Sequence, residues 1–206
     1  RFHLQRHDPQ DRRTGQGAIF WAGQVTGGMN ASMTAGQLVL VAGASGYVGR
    51  HLIPALLARG YGVRCLVRDA ARLEGAPWIG QVEIVRGDVT ERAALDPALE
   101  GVSTAFYLVH NMTNGHGYSA RDLRAAQNFT GAASQAGVGH IIYLGGLADP
   151  QARIGQHLAS RIQTGEALRQ GRVPVTELRA SIVIGPGATA FEMIRYVTEQ
   201  FPLLLA

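Results

Sequence analysis

Gly43, Gly46 and Gly49 recur every third residue in the stretch Gly43-Ala44-Ser45-Gly46-Tyr47-Val48-Gly49. This spacing suits phosphate binding by backbone rather than by side chains. Gly43 permits the tight turn that ends a strand, Gly46 lets backbone amides approach a pyrophosphate, and Gly49 lets the following helix pack close to a sheet. The anion then sits at a helix N-terminus, where unpaired N–H groups and the helix dipole favour negative charge, with Ser45, Tyr47 and Val48 completing the turn. The flanks support this chemistry. Five apolar residues, Leu38 to Ala42, precede the glycines, and Val48, Leu52, Ile53, Ala55, Leu56 and Leu57 follow at helical spacing. The stretch reads as strand, phosphate-binding turn and helix for a dinucleotide; a plain strand-to-helix corner with packing glycines is the other reading.

Three further groups lie where such a turn requires them. Arg68-Asp69 follows the second apolar strand, facing the adenosine ribose: an acid there binds the 2′-hydroxyl of NAD, an arginine the 2′-phosphate of NADP. Arg68 comes first off the strand, with Arg50 and Arg72 adding positive potential, which favours NADP while leaving NAD possible. Asp88-Val89 follows the third strand, where Asp88 accepts from the adenine amino group and Val89 covers the ring, or Asp88 only caps the next helix. The fourth strand ends in Leu108-Val109-His110, against the nicotinamide half, with His110 a polar contact or a structural histidine.

These residues must be positioned by elements, and the chain from Leu38 onward supplies them. Strands are expected over Leu38–Ala42, 63–67, 82–85, 104–109, 140–144 and 175–178, with a strand-like piece at 182–184. Helices are expected near 47–59, 91–99, 118–136, 155–169 and 189–200. Strands alternating with helices imply right-handed crossovers, hence an α/β, doubly wound parallel sheet with strand order 3-2-1-4-5-6 and ligands at its carboxyl edge. Residues 33–206 form this Rossmann domain. Residues 1–32 lack periodicity and are expected to be a disordered extension; the chain opens on Arg1, and Met29 and Met33 are plausible starts.

Composition excludes several classes. The 206 residues are 46% hydrophobic, enough for a buried core in one domain of ordinary size. Cys65 is the only cysteine, which rules out an internal disulfide or a cysteine-based zinc site, and no metal is expected. All 19 basic residues are arginine, so no lysine titrates in any mechanism of this chain. The net charge of +4 carries no basic block that would track nucleic acid. No apolar run approaches the roughly 18 to 20 residues that cross a bilayer, and a signal-peptide core is lacking, so a cytoplasmic location is expected.

With the glycine turn, Val67-Arg68-Asp69, Gly87-Asp88-Val89, Ala105-Phe106-Tyr107-Leu108-Val109-His110, Tyr143-Leu144-Gly145-Gly146-Leu147 and Glu177 to Gly185, the chain resembles the short-chain dehydrogenase/reductase superfamily. The resemblance is to its atypical, NmrA-like branch and covers about residues 38–200. It implies pyrophosphate on the glycine turn, the 2′-phosphate on Arg68 and adenine on Asp88-Val89. Catalytic members carry a Tyr-x-x-x-Lys pair on the helix after the fifth strand and a serine at that strand's end. Here the helix offers His157 and Arg161 at the same spacing, on one helix face, and the strand ends in Gly145-Gly146. Arg161 would hold the nicotinamide ribose without titrating, and His157 would donate a proton to a carbonyl, or only make a surface or ribose contact.

The expected function is an NADP-dependent oxidoreductase acting on a small-molecule carbonyl substrate. The alternatives are a non-catalytic NADP(H) sensor regulating a partner, and an accessory structural subunit. The resemblance also implies a substrate region beyond this length, and the apolar ending Phe201 to Ala206 reads as a truncation. The sequence leaves the oligomeric state open.

Overall fold

The computed structural model describes residues 25–26, 36–110, 118–147 and 155–200. The expectations for residues 1–32 and 201–206 lie outside these, apart from a two-residue strand, β1 (Val25–Thr26).

Beyond β1 the elements run β2 (Leu38–Ala42), α1 (Tyr47–Leu57), β3 (Gly62–Val67), β4 (Glu83–Arg86), α2 (Arg92–Leu99), β5 (Thr104–Tyr107), α3 (Tyr118–Gln135), β6 (His140–Gly146), α4 (Gln156–Arg169), β7 (Val175–Ala180) and α5 (Thr189–Gln200). Strands β2 to β7 form one parallel sheet in spatial order β4-β3-β2-β5-β6-β7. Counted from β2 this is the expected 3-2-1-4-5-6 order. β1 adds an antiparallel rung at the far edge, pairing Val25 with Leu178 and Thr26 with Glu177.

The two-residue period of β2 places its side chains on both faces of the sheet, and both faces are covered. Leu40 and Ala42 join Leu95 and Leu99 of α2, Phe129 of α3 and Leu168 of α4. Val39 and Val41 join Cys65 and Val67 of β3, Ile53 and Leu56 of α1, and Leu73 and Trp78. Cys65 is a buried core thiol, and burial pushes its pKa up to about 12. Between β3 and β4 the chain closes with two short 3-10 turns, Ala70–Leu73 and Ile79–Gln81, instead of a crossover helix. The face is completed there by Leu73, Ala76 and Trp78.

Two sequence expectations end differently. β5 stops at Tyr107, whose partners are Ala42 and Tyr143; Leu108 makes one more bond, donating to the Ala42 carbonyl at 2.9 Å, and the chain then leaves the ladder. The 182–184 piece is no strand. Ile182 and Ile184 are exposed, and the β6–β7 ladder closes on Ala180, whose carbonyl accepts from Leu147 N–H at 3.1 Å. Residues 22–181 form one compact unit; Ile182 onward, with α5, belongs to another.

Candidate functional site

The glycine turn is built as its spacing requires. Gly43 has φ of +97°, open to glycine at little cost, and a β-carbon on it would lie 3.0 Å from the Leu108 carbonyl carbon. A β-carbon on Gly49 would come within 2.8 Å of the Ala44 α-carbon, so α1 can press against the turn only because Gly49 has none. Gly46 is the N-cap of α1 and supplies no capping side chain, and the first turn of the helix holds no acid. The N–H groups of Tyr47 and Val48 are helix-end donors of the type an anion satisfies. Arg50 binds this turn to the β3 loop: its Nε donates to the Ser45 carbonyl at 3.3 Å and its Nη2 to the Arg72 carbonyl.

The Arg68-Asp69 pair divides its work. Asp69 accepts from Ala71 N–H at 3.1 Å, capping the 3-10 turn, and so serves the backbone. Arg68 is exposed, and among the described residues its guanidinium has no protein partner. Asp88 makes an Asx turn, its Oδ1 accepting from Thr90 N–H at 2.9 Å and the Thr90 hydroxyl at 2.8 Å. It does not cap α2, whose N-cap is Glu91. Val89 is buried beneath this turn.

At the ends of β5 and β6 the expected residues converge. The rings of His110 and His157 lie 5.7 Å apart between centroids, tilted at 59°. Desolvation, then the charges of Arg161 and His157, push the His110 pKa down to about 4, with Asp122 opposing weakly. The ring is neutral at physiological pH, although its residue keeps solvent access. Leu108 and Val109, half-buried, lead from β5 to it.

Arg161 is tied to the sheet. Its Nη2 donates to the Leu144 carbonyl at 2.8 Å, and its own carbonyl accepts from the Tyr143 hydroxyl at 2.9 Å. Its Nε is buried with no acceptor, an orphan that a native site rarely leaves without a reason. At the strand end beneath it, a side chain on either glycine would have to displace a neighbour. A β-carbon on Gly145 would collide with the carboxylate of Glu177, which is held by Arg169 at 2.6 Å and Arg179 at 3.0 Å. One on Gly146 would collide with Leu158.

Asp122 escaped the sequence reading. It is buried on α3, its Oδ2 accepting from the buried Ser160 hydroxyl of α4 at 3.1 Å. The signal was present: Asp122 shares the inward stripe of Ala125, Ala126 and Phe129, where an acid needs a partner. Among the described residues no group of His, Cys, Asp and Glu side chains is placed to hold a metal ion. None of the described helices is long and apolar enough to cross a membrane.

A parallel 3-2-1-4-5-6 sheet with a glycine cradle at a helix N-terminus defines a dinucleotide-binding Rossmann protein. Comparison with known proteins agrees, an NAD(P)H-binding family matching residues 43–183. The chain belongs to this NAD(P)-binding family, of short-chain dehydrogenase/reductase type. A (4-alkanoyl-5-oxo-2,5-dihydrofuran-3-yl)methyl phosphate reductase of Streptomyces griseus is 36% identical over 143 residues, 69% of this chain and 46% of that protein. Cinnamoyl-CoA reductase 1 of Oryza sativa is 31% identical over 115 residues, 52% of this chain and 33% of that one. The Citrobacter sp. triphenylmethane reductase, solved with NADP(H), superposes with a TM-score of 0.62 at 26% identity over 79% of this chain and 55% of that one. The chain thus spans between a third and about half of these relatives' length.

The residues fit the nucleotide: the turn carries glycine at 43, 46 and 49, α1 begins there with helix-end N–H donors, and Arg68 has no protein partner among the described residues. When bound, the nicotinamide supplies hydride-transfer chemistry.

Proposed function

We propose that this chain is the nucleotide-binding part of an NADP-dependent oxidoreductase of the atypical, NmrA-like type that reduces or forms a small carbonyl compound. The observation that carries the reading is the convergence of His110, His157 and Arg161 at the carboxyl edge of β5 and β6, beside the glycine turn. Gly43, Ser45, Gly46, Tyr47, Val48 and Gly49 hold the pyrophosphate, Arg68 the 2′-phosphate, and Asp88 with Val89 the adenine. Leu108, Val109 and His110 line the nicotinamide side. His157 gives its proton to the substrate oxygen as hydride reaches the carbon, and Arg161 orients the ribose. A cytoplasmic site of action accords with this cofactor.

The test is NADPH oxidation by the protein with a panel of carbonyl compounds. His157→Phe should lower turnover roughly 10²- to 10⁴-fold and leave NADPH affinity nearly unchanged. Turnover indifferent to the substitution removes His157 from the chemistry.

The sensor reading has its own support in the strand end, which carries Gly145-Gly146 where catalytic members carry a serine. Tight NADPH binding without turnover on any carbonyl, together with a partner whose association differs between NADP and NADPH, would establish it.

A further inference from the structure

We propose that His110 is a second catalytic residue: it and His157 bind the same substrate oxygen, His110 as a hydrogen-bond donor and His157 as the group that delivers the proton. The inference rests on the oxidoreductase reading and reassigns His110 from a cofactor contact to a substrate contact.

The geometry comes first. The two rings, 5.7 Å apart and tilted at 59°, approach from different segments, His110 from three residues beyond β5 and His157 from the first turn of α4. No hydrogen bond joins them among the described residues. At this separation one oxygen atom would bridge the two rings at hydrogen-bond length, about 2.8 Å, with a nitrogen of each turned toward it. The pair stands over the β5 and β6 ends, where the glycine turn would place a nicotinamide.

The surrounding charges then separate the two roles. Around His110 stand His157 and Arg161 of α4 and Asp122 of α3. Desolvation, then the charges of Arg161 and His157, lower the His110 pKa, and Asp122 opposes them least. His110 stays an uncharged imidazole with one N–H to donate, a donor aimed at developing negative charge that does not compete for the proton. In the reduction, a hydride from the dihydronicotinamide forms the new C–H bond and the carbonyl π pair moves onto oxygen. That oxygen takes the proton of the His157 imidazolium. The nicotinamide is oxidised, the carbonyl becomes an alcohol, and neutral His157 regains a proton from solvent.

The probe is 4-nitrophenol, whose phenolate mimics the developing oxyanion and absorbs differently from the phenol. In NADP-loaded protein the bound phenol should ionise at lower pH than in water. His110→Phe and His157→Phe should each lose roughly tenfold in its ionisation constant. His110→Gln, which restores an N–H, should recover part of that loss, a rescue that a packing role would not give. With a carbonyl substrate, His110→Phe should lower kcat roughly 10²-fold with KM for NADPH unchanged. Should Phe disturb the fold, His110→Ala in the same titration decides. Phenol ionisation and kcat unaltered by loss of His110 would overturn the proposal while leaving the oxidoreductase reading in place. Absence of turnover in the unmodified protein would overturn that reading, and a phenol ionisation unmoved in the wild type would overturn both donors together.

Discussion

Residues that act at this site are distinguished by what the fold leaves free. Arg68 and Asp69 are neighbours in sequence, yet Asp69 serves the 3-10 turn and Arg68 serves nothing among the described residues. Arg68→Ala should therefore weaken NADPH binding by roughly 1.5 to 3 kcal/mol, the worth of a charge-assisted phosphate contact, and leave NADH affinity nearly unaltered. Calorimetric titration with both nucleotides checks this, and an unchanged preference would contradict it. Gly145 bears on stability instead. In Gly145→Ala the new methyl would push the buried Glu177 carboxylate from Arg169 and Arg179, at a cost of roughly 1 to 3 kcal/mol in urea unfolding. The glycine roles were legible because they are local: a positive φ and a close approach follow from spacing within seven residues. The meeting of His110 with His157, the buried Asp122 and the anchoring of Arg161 on Leu144 were not, since each joins elements far apart in the chain.

Elements are held at the sheet edges by few, identifiable polar contacts. Arg64 on β3 is such a contact: it pairs with Glu83 of β4 at 2.7 Å and donates to the carbonyls of Pro97, Ala98 and Glu100 at the end of α2. These carbonyls are the orphan acceptors of a helix C-terminus, and a cation there also favours the helix dipole. Arg64→Ala should cost roughly 2 to 3 kcal/mol in chemical denaturation, against a negligible effect for the exposed Arg195→Ala. At the other edge His140 of β6 meets the Thr176 hydroxyl of β7 at 2.8 Å, buried, and desolvation lowers its pKa. A histidine with a folded-state pKa below its unfolded value of about 6.5 takes a proton more readily when unfolded. Stability is thus complete above about pH 6.5 and declines as pH falls. His110 acts in the same direction, down to about pH 4. Thermal unfolding from pH 7.5 to 4.5 should show this decline, and His140→Asn should make it shallower; a slope unchanged by that variant would remove His140 as a source.

On the scale of the whole molecule, the alternation of strands and helices was enough to give the sheet order, because right-handed crossovers leave few topologies for such a pattern. The pattern failed where pairing depends on a neighbour: 182–184 has the composition of a strand, but the ladder ends at Ala180 and none of the described strands takes it up. Asp88 likewise turned out to close an Asx turn instead of starting α2, a choice of partners two residues away that composition does not decide. If the glycine turn at the start of α1 holds the nucleotide, a side chain placed in it must displace that nucleotide. Gly46→Val tests it directly. A β-carbon on Gly46 meets only the Gly43 carbonyl, at 3.3 Å, and its φ of −78° suits any residue, so the fold should survive with an unfolding temperature within about 3 °C of wild type. The valine would fill the space where the pyrophosphate approaches the backbone. Titration of NADPH into both proteins should show binding by the wild type and at least ~100-fold weaker binding by Gly46→Val, the loss of several charge-assisted amide contacts. A folded Gly46→Val protein that binds NADPH as tightly as the wild type would show that the nucleotide does not sit on this turn.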